Sequence, residues 1–435
     1  MFRKNIQLAL IHVAIAMTLV PINSTLNRVM IKELAFSATL VAILASLPFL
    51  FSPLQVVIGS YSDRHPLFGY RRIPYVVFGL GLCVLGVILA PHAVFFMSDN
   101  RMLGLLLSVL TFGAWGMGYN IASVSYLSLA SELSGEKGRS RTVSIMWFMM
   151  IVGIIATAAT LSRLLETYTP ETLKAAFEIV GLVALGLGLI GIIRLEPRHT
   201  GNVQPRDSSH QADWRSLINS VLANPIARAF FFYMIVMLAA ILGQDVLLEP
   251  YGGEAFGLSV SATTRITSIW GGCMLLTLVL AGYLERRIAK RNVARIGAGL
   301  AIAGFAVIAG SGLIAHSGLF YAGVMLLGFG TGLSTVSNLS LMLDMTTTEV
   351  GLYIGAWGVA NAMARLLGSV MSGVVRDVMT QVFNNAVLGY VIVFALQGGL
   401  LVLSLVMLAR IDVQKFRNQR QLSTAERAEL MQEAS

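Results

Sequence analysis

Gly116-Met117-Gly118-Tyr119-Asn120-Ile121-Ala122-Ser123-Val124-Ser125-Tyr126-Leu127-Ser128-Leu129 is answered, 212 residues further on, by Gly328-Phe329-Gly330-Thr331-Gly332-Leu333-Ser334-Thr335-Val336-Ser337-Asn338-Leu339-Ser340-Leu341. Seven positions are identical without a gap, and Glu132 falls on Asp344 at the same offset. Apolar helices match by chance easily. A shared Gly/Ser pattern at about half the length of the chain is harder to produce that way, and it predicts two related halves.

The surrounding sequence is built for lipid. Hydrophobic residues make up 56% of the 435 and charged residues only 12%, about half the charged share of a soluble domain. The apolar residues run in blocks near the roughly 20 residues needed to cross a hydrocarbon layer. A net charge of +9 then reads as Lys and Arg gathered on cytoplasmic loops, and nucleic acid is not expected as a partner. Cys83 and Cys273 both lie in apolar runs, which argues against a disulfide frame, a zinc site or a redox pair. The charged start Phe2-Arg3-Lys4 leads into an apolar stretch too long for a signal core, with no small-residue cleavage site behind it. It is expected to remain as the first helix.

Twelve membrane helices are predicted, over 6–31, 35–61, 74–97, 102–130, 142–166, 173–194, 225–249, 259–283, 293–315, 318–344, 350–376 and 386–409. The polar stretch 196–224, with Pro197, Pro205, Ser208, Ser209 and His210, reads as a cytoplasmic linker. It separates a six-helix half over 1–195 from a second over 225–410, and 411–435 reads as a cytoplasmic tail. With the N-terminus in the cytoplasm, 23 Lys and Arg fall on the cytoplasmic side and 7 on the other, which predicts both termini inside a bacterial inner membrane. A parallel six-plus-six repeat is the arrangement of the major facilitator fold, so the fold class expected is all-α and major-facilitator-type.

Between the second and third helices stands Gly59-Ser60-Tyr61-Ser62-Asp63-Arg64-His65-Pro66-Leu67-Phe68-Gly69-Tyr70-Arg71-Arg72. It resembles the loop signature of the major facilitator superfamily: a Gly, Asp-Arg four residues on, then a basic pair. Pro66-Leu67-Phe68 lengthen the usual spacing. Gly59 permits close helix approach, and Asp63 stands at a helix end, where it can meet a basic group or a positive helix N-terminus. Thr346-x-x-Glu349 reads as a capping box for the eleventh helix. The resemblance places that helix start beside Asp63, making Gly59, Asp63, Arg64, Arg71, Arg72 and Glu349 a candidate gating motif. The counterpart Gly282-Tyr283-Leu284-Glu285-Arg286-Arg287 in the second half is weaker.

On the opposite side, Glu249-Pro250-Tyr251-Gly252-Gly253-Glu254 is expected to end the seventh helix at Pro250 and to turn tightly at the two glycines. Glu249 and Glu254 would place negative charge at the outer mouth, with Arg265 as a partner for Asp245 or Glu249. A structural clamp and a ligand contact are equally open readings of this motif. Polar residues within spans usually face a cavity or another helix. Asn120, Asn338, Asn361, Arg365 and His12 are such residues, with Asn361 and Arg365 one helical turn apart.

The segments His65-Pro66-Leu67-Phe68-Gly69-Tyr70-Arg71-Arg72-Ile73-Pro74-Tyr75 and Leu248-Glu249-Pro250-Tyr251-Gly252-Gly253-Glu254-Ala255-Phe256-Gly257-Leu258-Ser259, the latter with Thr263-Thr264, resemble the PucC family. This is the bacteriochlorophyll-delivery branch of the major facilitator superfamily. Arg141 to Met149 fits the same pattern. The resemblance implies a non-enzymatic assembly factor in a cytoplasmic or photosynthetic intracytoplasmic membrane. It would carry bacteriochlorophyll or chlorophyll as cargo, with no permanently bound cofactor or metal. Its partners would be membrane lipid, antenna polypeptides and pigment-synthesis enzymes. On that reading Arg365 could meet a carboxylate or carbonyl of a tetrapyrrole, and His12 could ligate its magnesium. Trp115, Trp147, Phe148, Trp270 and Trp357 could stack on the macrocycle. Packing or helix bridging explains each of these residues as well. The alternative is an ion-coupled transporter of another small solute, which normally wants a carboxylate deep in a span.

Overall fold

The computed structural model describes residues 2–198, 225–344 and 350–411. The chain is helical almost throughout, because a backbone in lipid has to satisfy its own hydrogen bonds. The first half holds α1 (Phe2–Met17), α2 (Ala38–Ala45), α3 (Leu47–Leu50), α4 (Leu54–Arg64), α5 (Ile73–Asp99), α6 (Arg101–Leu164) and α7 (Pro170–Ile192). The second holds α8 (Pro225–Leu242), α9 (Leu248–Phe256), α10 (Val260–Leu284), α11 (Lys290–Leu313), α12 (Ser317–Asp344), α13 (Val350–Phe383) and α14 (Ala386–Arg410). Beyond α1 the first rod continues in π-helical turns, Pro21–Leu26 and Val29–Glu33, so that one span covers Arg3–Glu33.

Among the described residues, eleven helices are long and apolar enough to cross a membrane. The expected span over 35–61 is instead the broken series α2, α3 and α4. Pro48 opens α3 and Pro53 caps α4; each lacks an N–H and crowds the preceding turn, so one straight rod cannot form. The expected loop between 130 and 142 is also corrected. α6 runs through it with one non-helical residue, Gly135 at φ 61° and ψ 175°, dividing the spans Arg101–Gly135 and Arg141–Leu164.

The repeat has a packing cause. A Cβ on Gly118 would lie 2.4 Å from the backbone N of Cys83 and 2.5 Å from the carbonyl O of Gly79, both on α5. One on Gly330 would lie 2.5 Å from the N of Ala301 and 2.6 Å from the O of Gly297, both on α11. Gly116 abuts the backbone of Pro48 and Gly328 that of Trp270 in the same way. At equivalent places in both halves, helix backbones touch where any side chain would hold them apart. α1, α5, α6 and α7 pack together, as do α8, α10, α11, α12, α13 and α14; the halves meet where α10 lies on α6 and α13 lies on α2.

Candidate cargo site and gates between the halves

The bundle has two ends. The proximal end carries the N-terminus, the α4–α5 turn and Gly135; the distal end carries residues 34–37, 165–169, 257–259 and 384–385.

At the proximal end, Gly59 lies in α4 with Val124 Cγ2 3.4 Å from where its Cβ would stand. Arg72 is 4% exposed, pairs with Glu132 at 3.0 Å and donates to Ser62 Oγ at 2.7 Å. The backbone N–H groups of Arg71, Arg72 and Ile73 donate to the Glu196 carboxylate at 2.7, 3.1 and 2.9 Å. These are orphan donors at the start of α5, and a carboxylate there also answers the helix dipole. Glu196, the first residue of the stretch read as a cytoplasmic linker, is therefore a cap on the first half. Sequence patterns mark Glu132 only as a repeat position beside the Gly/Ser pattern, and they assign Glu196 no contact. Arg64 is exposed. Glu349 and the Asp63 side chain lie outside the described residues, and with them the contact expected between the loop and the eleventh helix.

Midway along the bundle, Trp357, Asn361 and Arg365 share one face of α13 at four-residue spacing. Arg365 donates from Nη1 to Asp245 Oδ2 at 3.0 Å and from Nε to Asn361 Oδ1 at 3.3 Å, and lies 5.4 Å from the Phe49 ring centroid. The Arg365 and Asp245 side chains remain 31% and 24% exposed, so the pair is reachable from the space between the halves. Asp245 reaches it because the helix breaks: α8 ends at Leu242 and residues Gly243–Val246 form a 3-10 turn. Trp357 stands 6.1 Å from Trp147 across the halves, and Trp147 stands 6.4 Å from His12. His12 is 7% exposed, tilted against Tyr126 at 5.2 Å, with Nδ1 buried and without a partner. The strip from Arg365 to Trp357 is thus aromatic at one end and ionic at the other.

Asn120 and Asn338 face their own halves. Asn120 donates to the carbonyls of Pro48 and Gly116 and accepts from Gln55, which braces the broken second span. Asn338 donates to Ser334 and accepts from Tyr233. The hydrogen bonds of both side chains stay within their own half.

The distal end is closed. Ser24 and Thr267 both donate to Glu249 Oε1, at 2.5 and 2.6 Å. Thr25 meets Thr264 at 3.0 Å, Arg28 donates to the Leu258 carbonyl at 2.9 Å, and Ser162 to that of Ser261 at 2.9 Å. Asp377 on α13 accepts from the backbone N–H groups of Ala38 and Thr39 at 3.0 and 2.8 Å, and from Thr39 Oγ1 at 2.7 Å. Ser37 takes the Leu40 N–H. The first turn of α2 is therefore capped partly by its own half and partly by the other.

Two expectations fail here. The Glu-Pro-Tyr-Gly-Gly-Glu segment is helix α9 and not a turn. Pro250 occupies its third position, where the missing N–H would have no intrahelical partner, and the reversal comes at Gly257, φ 65°. Gly252 and Gly253 serve close packing instead; a Cβ on Gly253 would lie 3.2 Å from the Arg28 guanidinium. Arg265 is exposed and pairs with neither Asp245 nor Glu249. Asp245 takes Arg365, Glu249 takes hydroxyls, and Glu254 takes Arg376 at 2.9 and 3.0 Å together with Tyr390 at 3.1 Å. Tyr251 is wholly buried, donating to the Ile308 carbonyl. Among the described residues no group of three His, Cys, Asp or Glu could hold a metal ion.

Two related helical halves meeting around a polar and aromatic strip make this a multi-pass membrane protein of the major facilitator type. Solved transporters agree in fold. A bacterial homologue of the human lysosomal transporter Spinster, in an inward-facing and occupied conformation, superposes with a TM-score of 0.71 at 12% identity, over 94% of this chain and 97% of that one. A D-xylose–proton symporter does so at 0.68 and 15% identity, over 94% and 97%. The chain belongs to the PucC family, whose model, described as PUCC protein, matches residues 25–416. It is 31% identical over 425 residues to Protein PucC of Cereibacter sphaeroides, covering 93% of this chain and 91% of that one. It is 28% identical over 414 residues to a Rhodobacter capsulatus protein called bacteriochlorophyll synthase 44.5 kDa chain, covering 92% and 93%.

Proposed function

We propose that the protein holds bacteriochlorophyll or chlorophyll between its halves and hands it to nascent light-harvesting antenna polypeptides, acting as a carrier and not as an enzyme. The observation that carries this reading is the strip of Trp147, Trp357, Asn361, Arg365 and His12, in a chain with a relative named for bacteriochlorophyll. A tetrapyrrole is large, flat and mostly apolar. It suits aromatic walls with one or two polar anchors, which is what the strip supplies. His12 offers an imidazole beside Tyr126 and Trp147, and Arg365 offers donors to a carbonyl or carboxylate. Both termini are taken as cytoplasmic, with the distal gate on the opposite face. Purification from pigment-containing membranes in mild detergent, followed by an absorption spectrum, tests the reading. Pigment should copurify in a fixed ratio to protein. A colourless preparation, from cells whose antenna assembles normally without the gene, would remove it.

Asp245 favours a second reading, ion-coupled transport of another small solute. It is a carboxylate within the span Ala227–Val246, paired and still partly accessible. Solute-driven proton uptake that vanishes in Asp245→Asn would support this alternative.

A further inference from the structure

We propose that the cavity at the distal end, between the halves, binds an anionic phosphate group of the kind a phospholipid headgroup carries, and that its occupant bridges the two halves. The cavity has a volume of about 650 Å³, within the range of ordinary ligand pockets. Its walls come from both halves: Lys32 and Arg101 from the first, Glu254, Arg376 and Asp377 from the second. The two acids are already engaged. Both Glu254 oxygens accept from Arg376 Nη2, and Tyr390 adds a third donor. Asp377 accepts from Arg376, from two backbone N–H groups of α2 and from the Thr39 hydroxyl.

Donors are left over. Arg376 Nε is buried without a partner, and neither Lys32 nor Arg101 makes a hydrogen bond or ion pair among the described residues. With Arg376 spent on the two acids and the α2 N-terminus adding partial positive charge, Lys32 and Arg101 give the cavity a positive surplus. A basic pocket at the end of a bundle of membrane helices is suited to a phosphate. A phosphate touching Lys32 or Arg101 on one side and Arg376 on the other would join the halves at the point where Asp377 already caps α2.

The test is native mass spectrometry of the full-length protein in detergent, titrated separately with phosphatidylglycerol, phosphatidylcholine and inorganic phosphate. Phosphatidylglycerol should be retained in preference to phosphatidylcholine. The double variant Lys32→Gln/Arg101→Gln should weaken that retention by roughly tenfold or more. The double variant Arg163→Gln/Lys174→Gln removes two cations from the same end outside the cavity, and should leave retention unchanged. A thermal melt confirms that each variant is folded. If inorganic phosphate displaces the bound lipid, and its own binding depends on Lys32 and Arg101, the site stands with a free anion as its source. Equal retention of the two lipids, or an equal loss in both double variants, would overturn the proposal and leave only diffuse surface charge.

Discussion

Arg365 answers three demands at once: the Asp245 charge, the Asn361 carbonyl and the face of the Phe49 ring. Arg365→Leu leaves Asp245 in a span without its cation. The loss of such a partner costs about 1–3 kcal/mol, read as a lower melting temperature. Replacing both, Asp245→Leu with Arg365→Leu, removes the unpaired charge as well, and stability should return to the parent level or above it. That pair of variants separates structure from binding. If Arg365 anchors the pigment, the stable double variant still loses it; pigment at the parent level in that variant makes the pair a helix bridge only. Phe148→Leu should change little, because that side chain is 50% exposed and apolar burial is spread over many neighbours. The sequence made Arg365 and Asn361 visible as polar groups on one face of an apolar helix. It could not reveal Asp245 as their partner, because the contact spans 120 residues and requires a break in the helix that carries Asp245. Arg265 had been the more natural candidate for an acid at that end.

Helices in this bundle are defined by how their ends are met. Glu196 takes three N–H groups at the start of α5, and Glu196→Gln should cost about 0.5–2 kcal/mol, seen as a lower melting temperature without change at the distal end. Asp377 caps α2 from the opposite half, so its loss should act on conformation as well. Asp377→Asn keeps the shape, removes the charge facing the helix dipole, and weakens the bonds to Ala38 and Thr39. Spin labels at the exposed distal positions Glu171 and Ser317, one in each half, should then show a longer second distance that the parent lacks. An unchanged distribution in folded protein would dismiss Asp377 as a latch. Element types were legible because long apolar blocks have one solution in lipid. Their breaks were not. Pro48 and Pro53 sit in a run whose length alone reads as a span, and the Asn120 bonds to the Pro48 carbonyl and from Gln55 show how the broken rod is held. Pro250 misled in the other direction: it stands early enough in α9 to be harmless.

At the scale of the molecule, the Gly/Ser repeat carried the architecture, since Gly118 and Gly330 are equivalent backbone contacts in the two halves. The site was less legible than the fold, for it lies where the halves meet and no local pattern records which residues of one half oppose those of the other. Ser24, Thr25 and Thr264 are ordinary residues until the distal end closes around them. Which face of the membrane that closed end occupies is predicted from charge. Of the 31 Lys and Arg, the sequence count assigns 23 to the side of the N-terminus and 7 to the other, an imbalance that predicts the N-terminal side as cytoplasmic. A periplasm-active reporter inserted at Thr167, in the exposed distal turn between α6 and α7, should therefore be active, while one fused after Ser435 should be silent. A cytoplasm-active reporter should give the converse. Thr167 is the better insertion point than Gly253, which is buried in α9 against Arg28. With that outcome the hydrogen bonds of Glu249, Arg28 and Asp377 seal the non-cytoplasmic face, and cargo would enter the strip from the cytoplasm or from within the bilayer. The opposite pattern would invert the sense of delivery and leave the packing between the halves untouched.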